Sequence, residues 1–334
     1  MIVAPVAVIL ALVVCILLLG AAGAPMARRA TPALVRTPRA AVAILTAAAA
    51  VWLLALAALG PMVAWVISGP AVLMPSAAGE ICQRCLAAAN PLPRGAAVDT
   101  VIPVLLLVLV PLLLAGVLIV SLARFAAHRK VALRSTCRSL TKVASSTQVL
   151  GYTVLLVSDP APIAFALPKK RCGVVISERL LSLLTEEELR AVLAHESAHL
   201  RQRHHFILLL VEGLARPMRW VPLIRAVADA VPHYLEIAAD GAARRDTATP
   251  ALAGALLKLG EHAHSLERSP LPKSQALVLN AAGADRIRHL VAPGSHRGGR
   301  GYVLAVVATI ALMTTASTAV HGNYVHALLA GCVL

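Results

Sequence analysis

Residues 185–199, which read TEEELRAVLAHESAH, carry the clearest structural signal in the chain. Thr185 and, three residues later, Glu188 form the pattern of a capping box, which marks the start of a helix. The apolar residues that follow recur at helical spacing, so we predict a helix that continues to about residue 215. This prediction rests on the cap and the apolar positions and does not use the histidines.

The same helix carries two histidines and a glutamate in a spacing typical of metal sites. His195 and His199 are four residues apart, so both project from one face and can bind one zinc ion. Glu196 lies beside the metal, where it can take a proton from a zinc-bound water and pass it to a leaving amine. We predict His195 and His199 as metal ligands and Glu196 as the catalytic base. The alternative is a solvated pair of histidines on a polar helix face.

Zinc in a catalytic site needs a third protein ligand and one position left open for water. Glu236 and Asp240 are four residues apart in a segment otherwise poor in polar groups. We predict Glu236 as the third ligand and Asp240 as the acceptor for the free ring N–H of a liganding histidine. The alternative is that both carboxylates pair with Arg244 and Arg245 on a surface helix.

Other polar residues near the two motifs are weaker candidates. His233 and Tyr234 precede Glu236 and could donate a hydrogen bond to the transition-state oxygen, although a packing role is equally consistent with the sequence. His204 and His205 lie too far along the predicted helix to join the zinc, and we expect them to be solvated or interfacial.

The composition of the whole chain indicates a membrane protein. Of its 334 residues, 59% are hydrophobic and 14% are charged, and the mean hydropathy is +0.79. A soluble domain has about 25% charged residues, and a disordered chain has low hydrophobicity. Both classes are therefore excluded.

Four charge-poor segments are long enough to cross a bilayer, and we predict membrane helices at residues 1–20, 41–67, 101–123 and 302–320. The basic residues cluster in the connecting segments 21–40 and 124–301, and the positive-inside rule places these segments in the cytoplasm. Both termini then lie outside, with residues 321–334 as a short extracytoplasmic tail. The net charge of +15 is explained by orientation, so we expect no direct nucleic-acid binding.

The extracytoplasmic loop, residues 68–100, contains Cys82 and Cys85. A single such pair is weak evidence for a zinc or redox motif, and outside the cell a local disulfide is the simpler expectation. We expect Cys137 and Cys172, on the cytoplasmic side, to stay reduced.

Residues 124–301 contain most of the charged residues and form the predicted soluble domain. Three short runs, at residues 152–157, 163–167 and 174–176, have the composition of strands in a small sheet. The strand at 163–167 could pair with an extended substrate by strand addition. Residues 206–231 are apolar but interrupted by charges and prolines, and we expect them to lie against the membrane or the bundle of spans.

These features resemble the BlaR and MecR type of integral-membrane zinc metallopeptidase. The resemblance covers residues 1 to about 320 and is most specific from Pro162 to Asp240. It implies a mainly α membrane protein with four transmembrane helices and an inserted α+β, gluzincin-like peptidase domain between the third and fourth. It also implies one Zn²⁺ ion per chain, held by His195, His199 and Glu236 with Glu196 as base. The implied substrate is a cytoplasmic repressor of the BlaI type.

One departure and two alternatives qualify this resemblance. Antibiotic-sensing members continue into an extracellular penicillin-binding domain, whereas only residues 321–334 follow the last predicted span, so β-lactam sensing is not expected. HtpX-like membrane quality-control proteases share both motifs, but their usual placement of spans fits less well. A non-catalytic signalling scaffold with a structural zinc is the third interpretation, and it gives Glu196 no role.

Overall fold

The computed structural model describes residues 3–68, 101–168, 172–262 and 299–331. In these residues the chain is mainly helical and contains one small sheet. The mainly helical class with a small sheet is therefore confirmed. The predicted extracytoplasmic loop with Cys82 and Cys85 lies outside the described residues.

Three long helices come first: α1 (Val3–Leu34), α2 (Pro38–Ser68) and α3 (Val101–Val143). Within the described residues, three stretches of these helices are long and apolar enough to cross a membrane, namely Leu10–Leu34, Pro38–Ala57 and Leu112–Val143. These candidate spans indicate a membrane protein.

The predicted basic loop at residues 21–40 is largely helical, which corrects that prediction. Helix α1 continues to Leu34, and only residues 35–37 separate it from α2. Alanine, leucine and arginine, which fill much of this segment, are strong helix formers, so the basic residues extend the helix instead of ending it. Helix α3 likewise continues well past the predicted end of its span at residue 123.

Helix α9 (Arg300–Gly331) contains the fourth predicted span. Within the described residues its apolar helical stretch, Arg300–Thr315, is shorter than the three candidate spans. The fourth crossing therefore stays a prediction.

A four-stranded sheet follows α3, with strands β1 (Ser145–Val149), β2 (Tyr152–Val157), β3 (Ala164–Ala166) and β4 (Val174–Ser177) in the order β1-β2-β4-β3. Strand β4 pairs parallel with β2 and antiparallel with β3, so β3 lies at an edge. The three predicted strands are confirmed. Strand β1 was missed because its residues are polar and mostly exposed, and positive φ angles at Leu150 and Gly151 form the tight turn that pairs it with β2.

Five helices complete the domain: α4 (Glu178–Leu183), α5 (Glu186–Arg201), α6 (His204–Ala215), α7 (Pro222–Asp246) and α8 (Thr249–Glu261), with a 3₁₀ turn at Arg216–Met218. The predicted capping box is confirmed, since Thr185 accepts from the Glu188 amide and the Glu188 carboxylate accepts from the Thr185 amide. The single helix predicted to residue 215 is wrong. Arg203 has a φ of 54°, which ends α5 and starts α6 in a new direction.

Helix α7 occupies the centre of the molecule and packs against α1, α2, α5 and α6. Leu223, Val231 and Leu235 of α7 share one apolar core with residues of α1 and α2. A Cβ atom on Gly23 of α1 would lie 2.6 Å from a methyl carbon of Leu223, so the glycine permits this close approach. As expected, residues 206–231 lie against the bundle of long helices.

Helix α3 is connected to the sheet through Cys137 and Cys172. The sulfur atoms of these cysteines lie at bonding distance, with the Cα atoms 6.0 Å apart. The two residues meet because the end of α3 lies on the same small apolar core as β3 and β4. The expectation that both stay reduced in the cytoplasm stays a prediction.

The contact between α6 and α3 generates a stability prediction. A Cβ atom on Gly213 would lie 2.5 Å from Leu122 Cδ1, whereas a Cβ atom on Gly116 of α3 meets nothing within 4 Å. Gly213→Leu should destabilise the protein by about 1–3 kcal/mol because the side chain overfills the contact. Gly116→Leu is the matched control, and both unfolding temperatures can be measured in detergent. Equal temperatures for the two variants would contradict the close approach of α6 to α3.

Candidate metal centre

The site lies where α5 crosses α7. Small residues at the crossing, Ala198, Ala239 and Ala242, form a buried cluster that lets the two helices approach closely. On α5, the side chains of His195 and Glu196 are buried, with residue exposures of 2% and 4%. The helix thus presents its histidine face to α7 and not to water, which does not fit the alternative of a solvated pair.

Helix α7 completes the cluster with a carboxylate. The Nε2 atoms of His195 and His199 are 3.1 Å apart. The Oε2 atom of Glu236 lies 3.4 Å from His195 Nε2, and its Oε1 atom lies 3.4 Å from His199 Nε2. The three residues form a group that could hold a metal ion, with their ligand atoms all within 4.8 Å of one another. The structure therefore brings the three predicted ligands together.

The spacing of these atoms fits metal coordination. Ligand atoms about 2.1 Å from a metal and arranged tetrahedrally lie about 3.4 Å apart, close to the separations observed between the imidazoles and the carboxylate. Two histidine nitrogens and a carboxylate oxygen are also a ligand set that catalytic metal sites use. The residues therefore fit a bound metal ion with a position left for a further ligand.

Asp240 orients the first histidine. Its Oδ1 atom is 2.9 Å from His195 Nδ1, and both side chains are almost completely buried. An acceptor at Nδ1 keeps the proton there and leaves Nε2 with its lone pair directed at the metal position. The alternative, an ion pair between Asp240 and Arg244, is not observed. The Arg244 side chain instead donates a hydrogen bond to the Thr249 hydroxyl.

The second histidine is oriented by a residue that we did not predict. His204, expected to be solvated or interfacial, is 2% exposed, and its Nδ1 atom is 3.0 Å from His199 Nδ1. Burial lowers the pKa of His204 to about 4, so its ring is neutral at pH 7. It can then accept the His199 Nδ1–H while its own Nε2–H donates to Gln202 Oε1 at 3.3 Å.

No sequence signal identifies this role for His204. On an uninterrupted helix His204 would lie beyond the metal position, and only the left-handed turn at Arg203 folds it back onto His199. His205, its neighbour, is exposed as expected.

A cleft of about 440 Å³ opens beside the cluster. Its lining includes Glu196 together with the metal-binding group, and the other wall is formed by residues 165–168 at the end of edge strand β3. Helix α3 contributes Arg129 and Lys130. The candidate base, the three ligands and the edge strand therefore line one cavity.

The structure places His233 and Tyr234 elsewhere. Neither is among the described residues that line this cleft. Tyr234 is buried in the apolar core shared with α1, where burial raises its pKa. Their placement gives no support to the suggested role in stabilising a transition state.

Comparison with known proteins adds one finding to this geometry. Residues 127–241 match the model of Peptidase family M48. The matched range runs from the end of α3 to just past Asp240, and it therefore includes the whole metal-binding group and Glu196. The match indicates a metallopeptidase hydrolase and metal-dependent proteolysis. It does not extend to the BlaR and MecR type, so that specificity stays a prediction. No curated protein and no solved structure matched the chain.

Orientation of His199 by His204 can be tested by metal affinity. His204→Ala removes the acceptor at His199 Nδ1, and loss of such a supporting hydrogen bond weakens metal binding about 10- to 100-fold. Competition with a chromogenic chelator on protein in detergent measures this affinity. His205→Ala is the control and should bind metal as tightly as the unmodified protein, whereas unchanged affinity in His204→Ala would remove His204 from the site.

Proposed function

We propose that the chain is an integral-membrane, zinc-dependent endopeptidase. The observation that carries this proposal is the buried group of His195, His199 and Glu236 with Glu196 in the same cleft. A metal site of structural type has four protein ligands and no adjacent base. Among the described residues this group has three ligands. The Glu196 carboxylate lies beside them and is not part of the group, which favours catalysis over the scaffold interpretation.

Zinc bound at this site would polarise the substrate carbonyl and lower the pKa of a bound water to about 7. The protein supplies the proton transfers. The Glu196 carboxylate accepts a proton from the attacking water and donates it to the nitrogen of the leaving amine. Asp240 and His204 hold the two imidazoles in the tautomer that keeps Nε2 available.

The substrate segment would bind in an extended form along β3. This strand lies at the edge of the sheet, and residues 165–168 line the cleft that contains Glu196. Addition of a substrate strand at such an edge supplies main-chain hydrogen bonds that do not depend on side-chain identity. The scissile bond would then pass beside the metal position.

Two substrate classes fit this position. A cytoplasmic repressor of the BlaI type follows from the sequence resemblance to BlaR and MecR proteins. A membrane protein is the second candidate, as in HtpX-like quality control. The observation that favours it is that α3, which contains a candidate membrane span, continues into the wall of the cleft, where Ala126 and Leu133 lie.

For the topology, we propose four crossings with the peptidase domain at residues 124–301 in the cytoplasm and both termini outside. The support is the distribution of basic residues, which cluster where α1 meets α2 and in the second half of α3. A reporter fused after Val320 tests this proposal. Alkaline phosphatase is expected to be active at that position, because it folds only outside the cytoplasm, and activity of a cytoplasmic reporter there would exclude the fourth crossing.

Glu196→Gln tests the enzymatic proposal directly. The variant keeps the three ligands, so it should retain zinc by elemental analysis while peptide cleavage by the purified protein falls by at least about 100-fold. Glu187→Gln is the matched control, because Glu187 is exposed on the same helix, and it should cleave normally. Equal cleavage by the Glu196→Gln variant would contradict the proposed catalytic role.

The same variant can identify the substrate. A comparison of new peptide ends in cells that contain the unmodified protein or Glu196→Gln should reveal cleavage sites that depend on Glu196. Sites in a soluble DNA-binding repressor would support regulatory proteolysis, and sites in many membrane proteins would support quality control.

A further inference from the structure

A second cavity, of about 710 Å³, lies on another side of α7 from the metal-binding group. It is an open cavity bounded by the turn between α1 and α2 (residues 35–37), the first turn of α2 and the last turns of α7. Ile237 and Gly241 of α7 line it, whereas Glu236 and Asp240 on the same helix contact the histidines. The cavity is therefore separate from the cleft that contains Glu196.

Four arginines line this cavity: Arg36, Arg39, Arg244 and Arg245. None of the described residues that line it is acidic. Two of the arginines make hydrogen bonds to neutral groups, Arg39 to Gln202 and Arg244 to Thr249. Neither of these two bonds neutralises the charge of its arginine, and the four arginines come to the cavity from two separate segments of the chain.

The start of α2 adds to this positive field. Pro38, Arg39 and Ala40 form the first turn of α2 and also line the cavity. The first backbone N–H groups of a helix have no partner inside the helix, and the helix dipole is positive at that end. A helix N-terminus together with several guanidinium groups is an arrangement that binds phosphate.

Position identifies the source of the phosphate. Residues 35–37 join Leu10–Leu34 to Pro38–Ala57, two stretches long and apolar enough to cross a membrane. A turn between two consecutive spans lies at the membrane surface, at the depth of the lipid headgroups. Arginines adjacent to the ends of spans attract the anionic lipids of that surface.

We propose that this cavity binds the phosphate-bearing headgroup of an anionic membrane lipid. The phosphate would be held by guanidinium groups from both sides, Arg36 and Arg39 from the turn and Arg244 and Arg245 from α7. The positive-inside rule alone would explain Arg36 and Arg39 beside a span. The helix dipole alone would explain Arg244 and Arg245 at the C-terminal end of α7. Neither effect requires the two pairs of arginines to converge on one cavity whose described lining contains no acidic residue.

Binding of short-chain lipids to the full-length protein in detergent tests the proposal by native mass spectrometry. We expect dioctanoyl phosphatidylglycerol to bind and dioctanoyl phosphatidylcholine to bind more weakly. Arg36→Gln/Arg245→Gln removes one guanidinium from each side and should weaken phosphatidylglycerol binding about tenfold or more. Arg134→Gln/Arg138→Gln removes the same charge from exposed positions on α3 and should leave it unchanged.

Three results would overturn the proposal. Unchanged phosphatidylglycerol binding in Arg36→Gln/Arg245→Gln would show that the lipid binds elsewhere. Equal weakening in the α3 control would show a general charge effect. Glycerol 3-phosphate or inorganic phosphate that binds as tightly as the lipid, and is lost in the same variant, would assign the site to a soluble phosphate and exclude the lipid source.

A second variant tests the cavity without changing its charge. A Cβ atom on Gly241 meets nothing within 4 Å, so a large side chain there projects into open space in the cavity. Gly241→Leu should therefore block phosphatidylglycerol binding while all four arginines remain, and Gly241→Ala should retain most of it. Equal binding by the two variants would contradict headgroup entry into this cavity.

Discussion

The site is organised by the need to compensate the negative charge of two buried carboxylates on α7. Glu236 and Asp240 are 6% and 2% exposed, and removal of a carboxylate from water costs several kcal/mol unless a positive or hydrogen-bonding partner compensates. Asp240 obtains its partner from the Nδ1–H of His195. Glu236 contacts the Nε2 atoms of both histidines, and these carry no proton once their rings donate through Nδ1. A metal cation held by the three side chains would compensate the buried charge of Glu236.

Helix α7 extends this constraint to the rest of the molecule. It packs on α1 and α2 through an apolar core and on α5 through a cluster of alanines. A shift of α7 by one residue would move Glu236 away from the histidines and would also disturb the contact between Gly23 and Leu223. The position of the metal ligand is consequently fixed by the packing of the long helices, so the peptidase site and the candidate spans form one structural unit.

The parts of the site that the sequence predicted are those determined by local spacing. The capping box at Thr185 places α5, and residues four apart on a helix share a face whatever the rest of the chain does, which holds for both histidines and for Glu236 with Asp240. His204 escaped prediction because its position depends on a left-handed turn at Arg203, a residue type that gives no indication of positive φ. Strand β1 escaped because its pairing comes from the turn at Leu150 and not from apolar alternation. The loop between α1 and α2 was predicted at residues 21–40 but contains only residues 35–37. The prediction assumed that basic residues lie in a loop, although arginine favours helix.

The metal centre and the basic cavity are connected by a short chain of hydrogen bonds. His199 is oriented by His204, His204 contacts Gln202 Oε1, and Arg39 donates to the same oxygen at 3.2 Å. A carbonyl oxygen accepts two hydrogen bonds, so Gln202 can serve both partners at once. Arg39 uses only its Nε–H for this contact, and the remaining guanidinium N–H groups are available to an anion in the cavity. An anion bound there would hold Arg39, and through it Gln202 and His204, in the arrangement that orients His199. The basic cavity and the metal ligand His199 therefore share one hydrogen-bonded path through Arg39, Gln202 and His204.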